Sequence, residues 1–95
     1  MVDFGLGGRV LAVTGGGSGI GRATALLAAR SGAAVGVCDR NAEAAGSVAG
    51  EIVAAGGKAV ALAFDVVDEA ATEAAFDTCE AALGPVDFLV ACAGI

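Results

Sequence analysis

Between residues 14 and 21 the chain reads TGGGSGIG, five glycines in eight residues, set between an apolar run and a run rich in alanine and leucine. Glycine loses more conformational freedom on folding than any other residue, so this density implies a backbone doing something that side chains would prevent. A loop that carries a strand into a helix leaves the first N–H groups of that helix unpaired and aimed outward, beside the positive end of its dipole. Such a junction is an anion site. Glycines there let the chain turn tightly, approach a diphosphate closely and press the helix onto the sheet. The candidate binding residues in the loop are Gly15, Gly17, Ser18, Gly19, Ile20 and Gly21.

The rest of the chain supplies the strand and the helix that this loop requires. Residues 9–14 (RVLAVT), 33–39 (AAVGVCD), 58–66 (KAVALAFDV) and 86–92 (VDFLVAC) are short apolar runs that predict strands. Residues 20–31, 42–55 and 68–83 are rich in alanine, leucine and glutamate and are closed by Gly32, by Gly56 with Gly57, and by Gly84 with Pro85, which predicts helices with glycine stops. Asp68 is the expected N-cap of the third helix, with Glu69 in its first turn. Gly46 and Gly50 weaken the second helix by about 1 kcal/mol each relative to alanine, which implies close contact between helix and sheet at those positions. The order β-α-β-α-β-α-β with continuous apolar strands predicts an α/β fold with a parallel sheet covered on both faces. Right-handed crossovers then set the strand order at 3-2-1-4, with the first two helices on one face and the third on the other. That layout is expected to leave strands one and four partly bare on the third helix's side, with strand four an unpaired edge.

Two common phosphate-binding patterns fail. A P-loop needs a lysine after its last glycine, and the sole lysine, Lys58, begins a strand. The GxGxxG fingerprint fails too, because its third glycine falls on Ile20 or Arg22. The pattern that fits is TGxxxGxG, with Thr14, Gly15, Gly19 and Gly21 in register. Three more signals follow in order: Asp39 ending the second strand, Asp65 with Val66 ending the third, and ACAGI over residues 91–95 ending the fourth. In these motifs, spread over the whole chain, the sequence resembles the cofactor-binding half of the short-chain dehydrogenase/reductase family. The resemblance implies a partial Rossmann fold over residues 1–95, with the catalytic half of the domain absent. It implies an NAD(P)-dependent oxidoreductase that moves a hydride between nicotinamide and an alcohol or ketone, and a homo-oligomer when complete.

By the same resemblance Asp39 contacts the adenosine ribose, Asp65 and Val66 the adenine, and Ala91, Ala93 and Gly94 the ribose-nicotinamide side. Ala91 and Cys92 depart from the usual asparagine pair, which puts the rigidity of the sheet in question more than cofactor contact. A carboxylate at Asp39 accepts hydrogen bonds from ribose hydroxyls and repels a 2′-phosphate, favouring NAD over NADP. Ser18 agrees, since NADP-preferring relatives often carry a base there. Arg40 is the counter-signal, because a base just after the acid can bind the 2′-phosphate.

Composition bounds the partners. With 11 acidic residues, 5 scattered basic ones and a net charge of -6, the chain has no basic face for nucleic acid. No uncharged run approaches the length that spans a bilayer, and an acid stands where a signal peptide carries a base, so a cytoplasmic protein is expected. Cys38, Cys79 and Cys92 form no CxxC pair and sit in apolar stretches, which predicts buried, reduced thiols rather than a disulfide or a metal site. Glu69, Glu73, Asp77 and Glu80 recur at helical spacing as a solvated face.

The sequence contains no histidine and no tyrosine. In the resembled family a tyrosine serves as general acid/base beside a lysine, so the 95-residue chain by itself is expected to be inactive, with no catalytic residue among those present. A stand-alone nucleotide-binding or redox-sensing module is the alternative. A methyltransferase-type fold shares the acid after strand two but usually has an acid where Thr14 stands.

Overall fold

A computed structural model of the chain describes residues 6–92. Seven elements alternate: β1 (Val10–Thr14), α1 (Gly19–Arg30), β2 (Ala34–Asp39), α2 (Ala42–Ala54), β3 (Ala59–Ala63), α3 (Glu69–Leu83) and β4 (Phe88–Ala91). All strand pairs are parallel and the sheet runs β3-β2-β1-β4. The expected order is the observed one; each parallel pair needs a helix to carry the chain back, and the right hand of that crossover puts α1 and α2 on one face and α3 on the other once the chain reverses direction across the sheet after β3.

Side chains alternate across the strands and divide the core in two. On one face Leu11, Val13, Val35 and Val37 pack against Ala25 and Ala28 of α1 and Ala45, Val48 and Ile52 of α2. On the other, Val10, Ala12, Cys38 and Leu62 pack with Cys79 of α3. Gly36 lies beneath α3, where a Cβ would stand 2.8 Å from the Cys79 sulfur, so its lack of a side chain lets the helix sit close. β1 is buried along its whole length. The expectation of a bare strand on the α3 side therefore holds for β4 alone, where Leu89, in register with Ala12, is 55% exposed; Phe88, in register with Leu11 on the opposite face, is 50% exposed. β1 escapes because Phe64, Leu83 and Val86 join the cluster around Val10 and Ala12.

The helix ends follow local chemistry. Asp68 caps α3 by accepting the Ala71 N–H at 3.0 Å, and Asn41 caps α2 by accepting the Ala44 N–H at 3.0 Å. At the far ends of α1 and α2 the chain closes through Gly32 and Gly56, both with positive φ. There the Ala33 N–H reaches back to the Ala28 carbonyl and the Gly57 N–H to the Ile52 carbonyl, satisfying groups the helix leaves open.

Two expectations are corrected. The third strand stops at Ala63 rather than residue 66, because β2 ends at its register partner Asp39 and offers no further ladder. One last bond runs from the Phe64 N–H to the Asp39 carbonyl at 3.1 Å, and Asp65 then turns the chain by accepting the Val67 N–H at 3.1 Å. Gly46 and Gly50 do not face the sheet. α2 buries Ala45, Val48, Ala49 and Ile52, which rotates both glycines to the exposed side, where an added Cβ would meet nothing within 4 Å.

Candidate functional site

The carboxyl ends of the four strands open into a cavity of about 520 Å³. It lies where the order reverses, with β2 and β3 on one side of β1 and β4 on the other. In doubly wound sheets the loops diverge at that point and leave a crevice for a ligand.

One wall is the glycine loop and the first turn of α1: Gly15, Ser18, Gly19, Ile20 and Gly21. Gly15 and Gly19 hold positive φ values of 66° and 56°, a region side chains disfavour. A Cβ at Gly21 would fall onto the Gly15 carbonyl, so the loop folds flat against the start of the helix. Ser18 is the N-cap of α1 but makes no side-chain cap bond, in contrast to Asn41 and Asp68. The leading N–H groups of α1 thus meet the cavity without the acceptor that α2 and α3 carry, as an anion site requires.

The facing wall is built by β2 and β3. Asp39 closes β2, and each of its carboxylate oxygens takes one backbone N–H, Gly17 on Oδ2 and Asn41 on Oδ1, both at 3.0 Å. Arg40 follows on the rim, and its Nη1 stands 4.0 Å from Asp65 Oδ2. Asp65 and Val66 line the cavity from the turn after β3. Asp65 thus both forms the wall and caps that turn.

Of the residues the sequence singled out, Gly15, Ser18, Gly19, Ile20, Gly21, Asp39, Arg40, Asp65 and Val66 meet around this one cavity. Gly17 is drawn behind the wall by its bond to Asp39, where a Cβ would stand 2.7 Å from that of Ala44. Ala91 pairs with Thr14 at the end of β4 and does not line the cavity. Ala93 and Gly94 lie outside the described residues.

Sequence reasoning missed Cys38, Phe64, Val67 and Cys92 on the wall. For Cys38, Phe64 and Cys92 the signal was the parallel register, which brings the residues beside each strand's last position to one level, whereas Val67 reaches the wall through the turn that Asp65 caps. All three thiols are free. Burial, with smaller contributions from Cys79 and Asp39, pushes the Cys38 thiol up to about 12, and burial also raises that of Cys79. Neither is a nucleophile at neutral pH. Cys92 departs from the expected burial: lying past the end of the edge strand, it is only half-buried and opens on the cavity. No helix among the described residues is long and apolar enough to cross a membrane.

The family model for short chain dehydrogenase matches residues 9–95. Among curated relatives, the 3-oxoacyl-[acyl-carrier-protein] reductase of Mus musculus is 45% identical over 87 residues, which is 92% of this chain and 36% of that protein. The D-threitol dehydrogenase of Mycolicibacterium smegmatis is 42% identical over 93 residues, 98% of this chain and 36% of its own. A solved 7 alpha-hydroxysteroid dehydrogenase, complexed with NADH and 7-oxo glycochenodeoxycholic acid, superposes with a TM-score of 0.85 at 42% identity, covering 88% of this chain and 33% of that one. The chain therefore spans about a third of the length of these relatives.

Proposed function

Because this chain belongs to the short chain dehydrogenase family, we propose that it is the cofactor-binding portion of an oxidoreductase that takes NAD and acts on an alcohol or ketone. The carrying observation is the pairing of an uncapped helix start with a fixed carboxylate across one cavity.

The residues present fit a dinucleotide. Five of the seven residues from Gly15 to Gly21 are glycines, which lets a diphosphate approach the backbone closely, and the α1 N–H groups supply the donors. Asp39 is held by two backbone N–H groups, and each oxygen keeps a lone pair for a ribose hydroxyl. Its charge works against a 2′-phosphate, which supports NAD over NADP. Val66 and the stem of Arg40 offer apolar surface for an adenine, and Ala91, Ala93 and Gly94 are assigned to the nicotinamide side. When bound, the nicotinamide supplies hydride chemistry. The chain's own part is to bind the diphosphate, orient the ribose and fix the direction in which the ring leaves the switch point.

The tyrosine that serves as acid/base in the resembled family has no counterpart among the residues of this chain. The sequence has no tyrosine and no histidine, and Cys38 is held protonated by burial. We propose that the 95-residue chain by itself binds the dinucleotide without turning it over. Its free, unbridged thiols suit a reducing cytoplasm.

Titrating the purified chain with NADH, followed by the fluorescence of the reduced nicotinamide, tests this reading, with S-adenosylmethionine as a competitor. Saturable NADH binding untouched by S-adenosylmethionine is expected. Displacement by S-adenosylmethionine at comparable concentration, or no NADH binding, would overturn it.

A further inference from the structure

Among the described residues Arg40 is the only side-chain cation on the cavity wall, between two acids, Asp39 and Asp65. Asp39 is already committed to the Gly17 and Asn41 N–H groups. Asp65 is placed differently. Its Oδ1 accepts the Val67 N–H at 3.1 Å and so anchors the side chain, while Oδ2 points toward the Arg40 guanidinium at 4.0 Å. The turn after β3 thus holds a negative charge against the guanidinium that stands beside the acid assigned to the ribose. The ion pair crosses between strand ends locked by the bond from the Phe64 N–H to the Asp39 carbonyl, so its partners cannot drift apart by sliding of the strands.

We propose that Asp65 is a positioning residue for cofactor choice: by engaging Arg40 it withholds that guanidinium from the 2′-phosphate of NADP and reinforces the preference set by Asp39. This rests on the dinucleotide reading of the cavity. The pair is exposed, with 78% of the Arg40 and 44% of the Asp65 side chain open to solvent, so its effect is modest and sensitive to salt.

The test is the ratio of NAD and NADP affinities, measured calorimetrically on the full chain and on Asp65→Asn. Asparagine keeps the oxygen that caps the turn and removes the charge. Because the two dinucleotides share their adenine, any part Asp65 plays in holding that ring affects both affinities alike and cancels in the ratio. Asp65→Asn is expected to move the ratio about 1.5-fold to fivefold toward NADP, in line with the strength of exposed ion pairs. Asp65→Glu should return the ratio toward the original, and 0.5 M salt should shrink the shift. In an Arg40→Ala background the same substitution should move the ratio far less, since its route of action is gone. An unchanged ratio in Asp65→Asn, or an equal shift with Arg40 removed, would overturn the proposal while leaving the dinucleotide site standing. Failure of the unsubstituted chain to bind either dinucleotide would overturn both.

Discussion

The Gly17 N–H donates to Asp39 Oδ2 at 3.0 Å, across 22 positions of sequence. One carboxylate thereby ties the phosphate loop to the end of the neighbouring strand, and the group assigned to the ribose also holds the diphosphate cradle in shape. Replacing Asp39 therefore removes two supports at once. Asp39→Ala should weaken NAD binding by about tenfold or more, the scale of a hydrogen bond to a charged group, and should narrow the gap between NAD and NADP. Asp39→Asn keeps an acceptor for one N–H and should retain more of the fold's stability than alanine does. Paired titrations and thermal melts of both variants check this.

Glycines in this chain divide by what surrounds them, and substitution should reveal the division. At Gly17 a Cβ would stand 2.8 Å from Asp39 Oδ2 and 2.7 Å from the Ala44 Cβ. Gly17→Ala should destabilise the chain by about 1–3 kcal/mol, as overpacking does, and should break the loop's tether. At Gly46 and Gly50 a side chain meets open space within a helix. Gly46→Ala and Gly50→Ala should each stabilise by up to about 1 kcal/mol. Urea denaturation of the three variants gives the signs directly.

The cysteines should separate by reactivity and by pH. Cys92 opens on the cavity whereas Cys38 and Cys79 are buried. Iodoacetamide at pH 8 should alkylate Cys92 first, and NADH should slow that reaction. The Cys38 thiol is raised from an ordinary 9.0 to about 12 in the fold, so between those pH values the unfolded chain gives up a proton that the folded chain keeps. Folding stability should fall as pH rises through that window. Urea midpoints measured from pH 8 upward should show a shallower decline for Cys38→Ala than for the unsubstituted chain.

β4 is the sheet's exposed margin. Phe88 and Leu89 stand half open, and its outer edge has no strand partner among the described residues. Apolar parallel strands facing water invite pairing with another copy. Light scattering on the 95-residue chain should find dimers or larger species, and Leu89→Lys should shift them toward monomer.

The pattern of strands and helices was legible because each element announces itself locally. Four apolar runs, glycine stops at Gly32 and Gly56, and a capping acid at Asp68 each act within a few residues. The strand order followed from the doubly wound layout that the glycine loop implies, with handedness fixing the face each helix covers. The cavity was legible in its loop and in Asp39, Asp65 and Val66, because a ligand site at strand ends draws on the residues that end strands. What stayed hidden depends on register or rotation. Phe64 and Cys92 reach the wall only because adjacent strands finish at one level, and the outward turn of Gly46 and Gly50 depends on which face of α2 wins burial. The bond between Gly17 and Asp39 joins residues that no local pattern relates.

The most direct test of the central claim is to follow the backbone amide resonances of the chain by NMR during titration with NADH. Saturable shifts are expected at Gly15, Gly17, Gly19, Ile20, Gly21, Asp39 and Asp65, with the amides at the start of α1 among the largest. Shifts centred instead at the opposite end of the sheet, around Gly56 and Lys58, or none at these positions at saturating NADH, would contradict it.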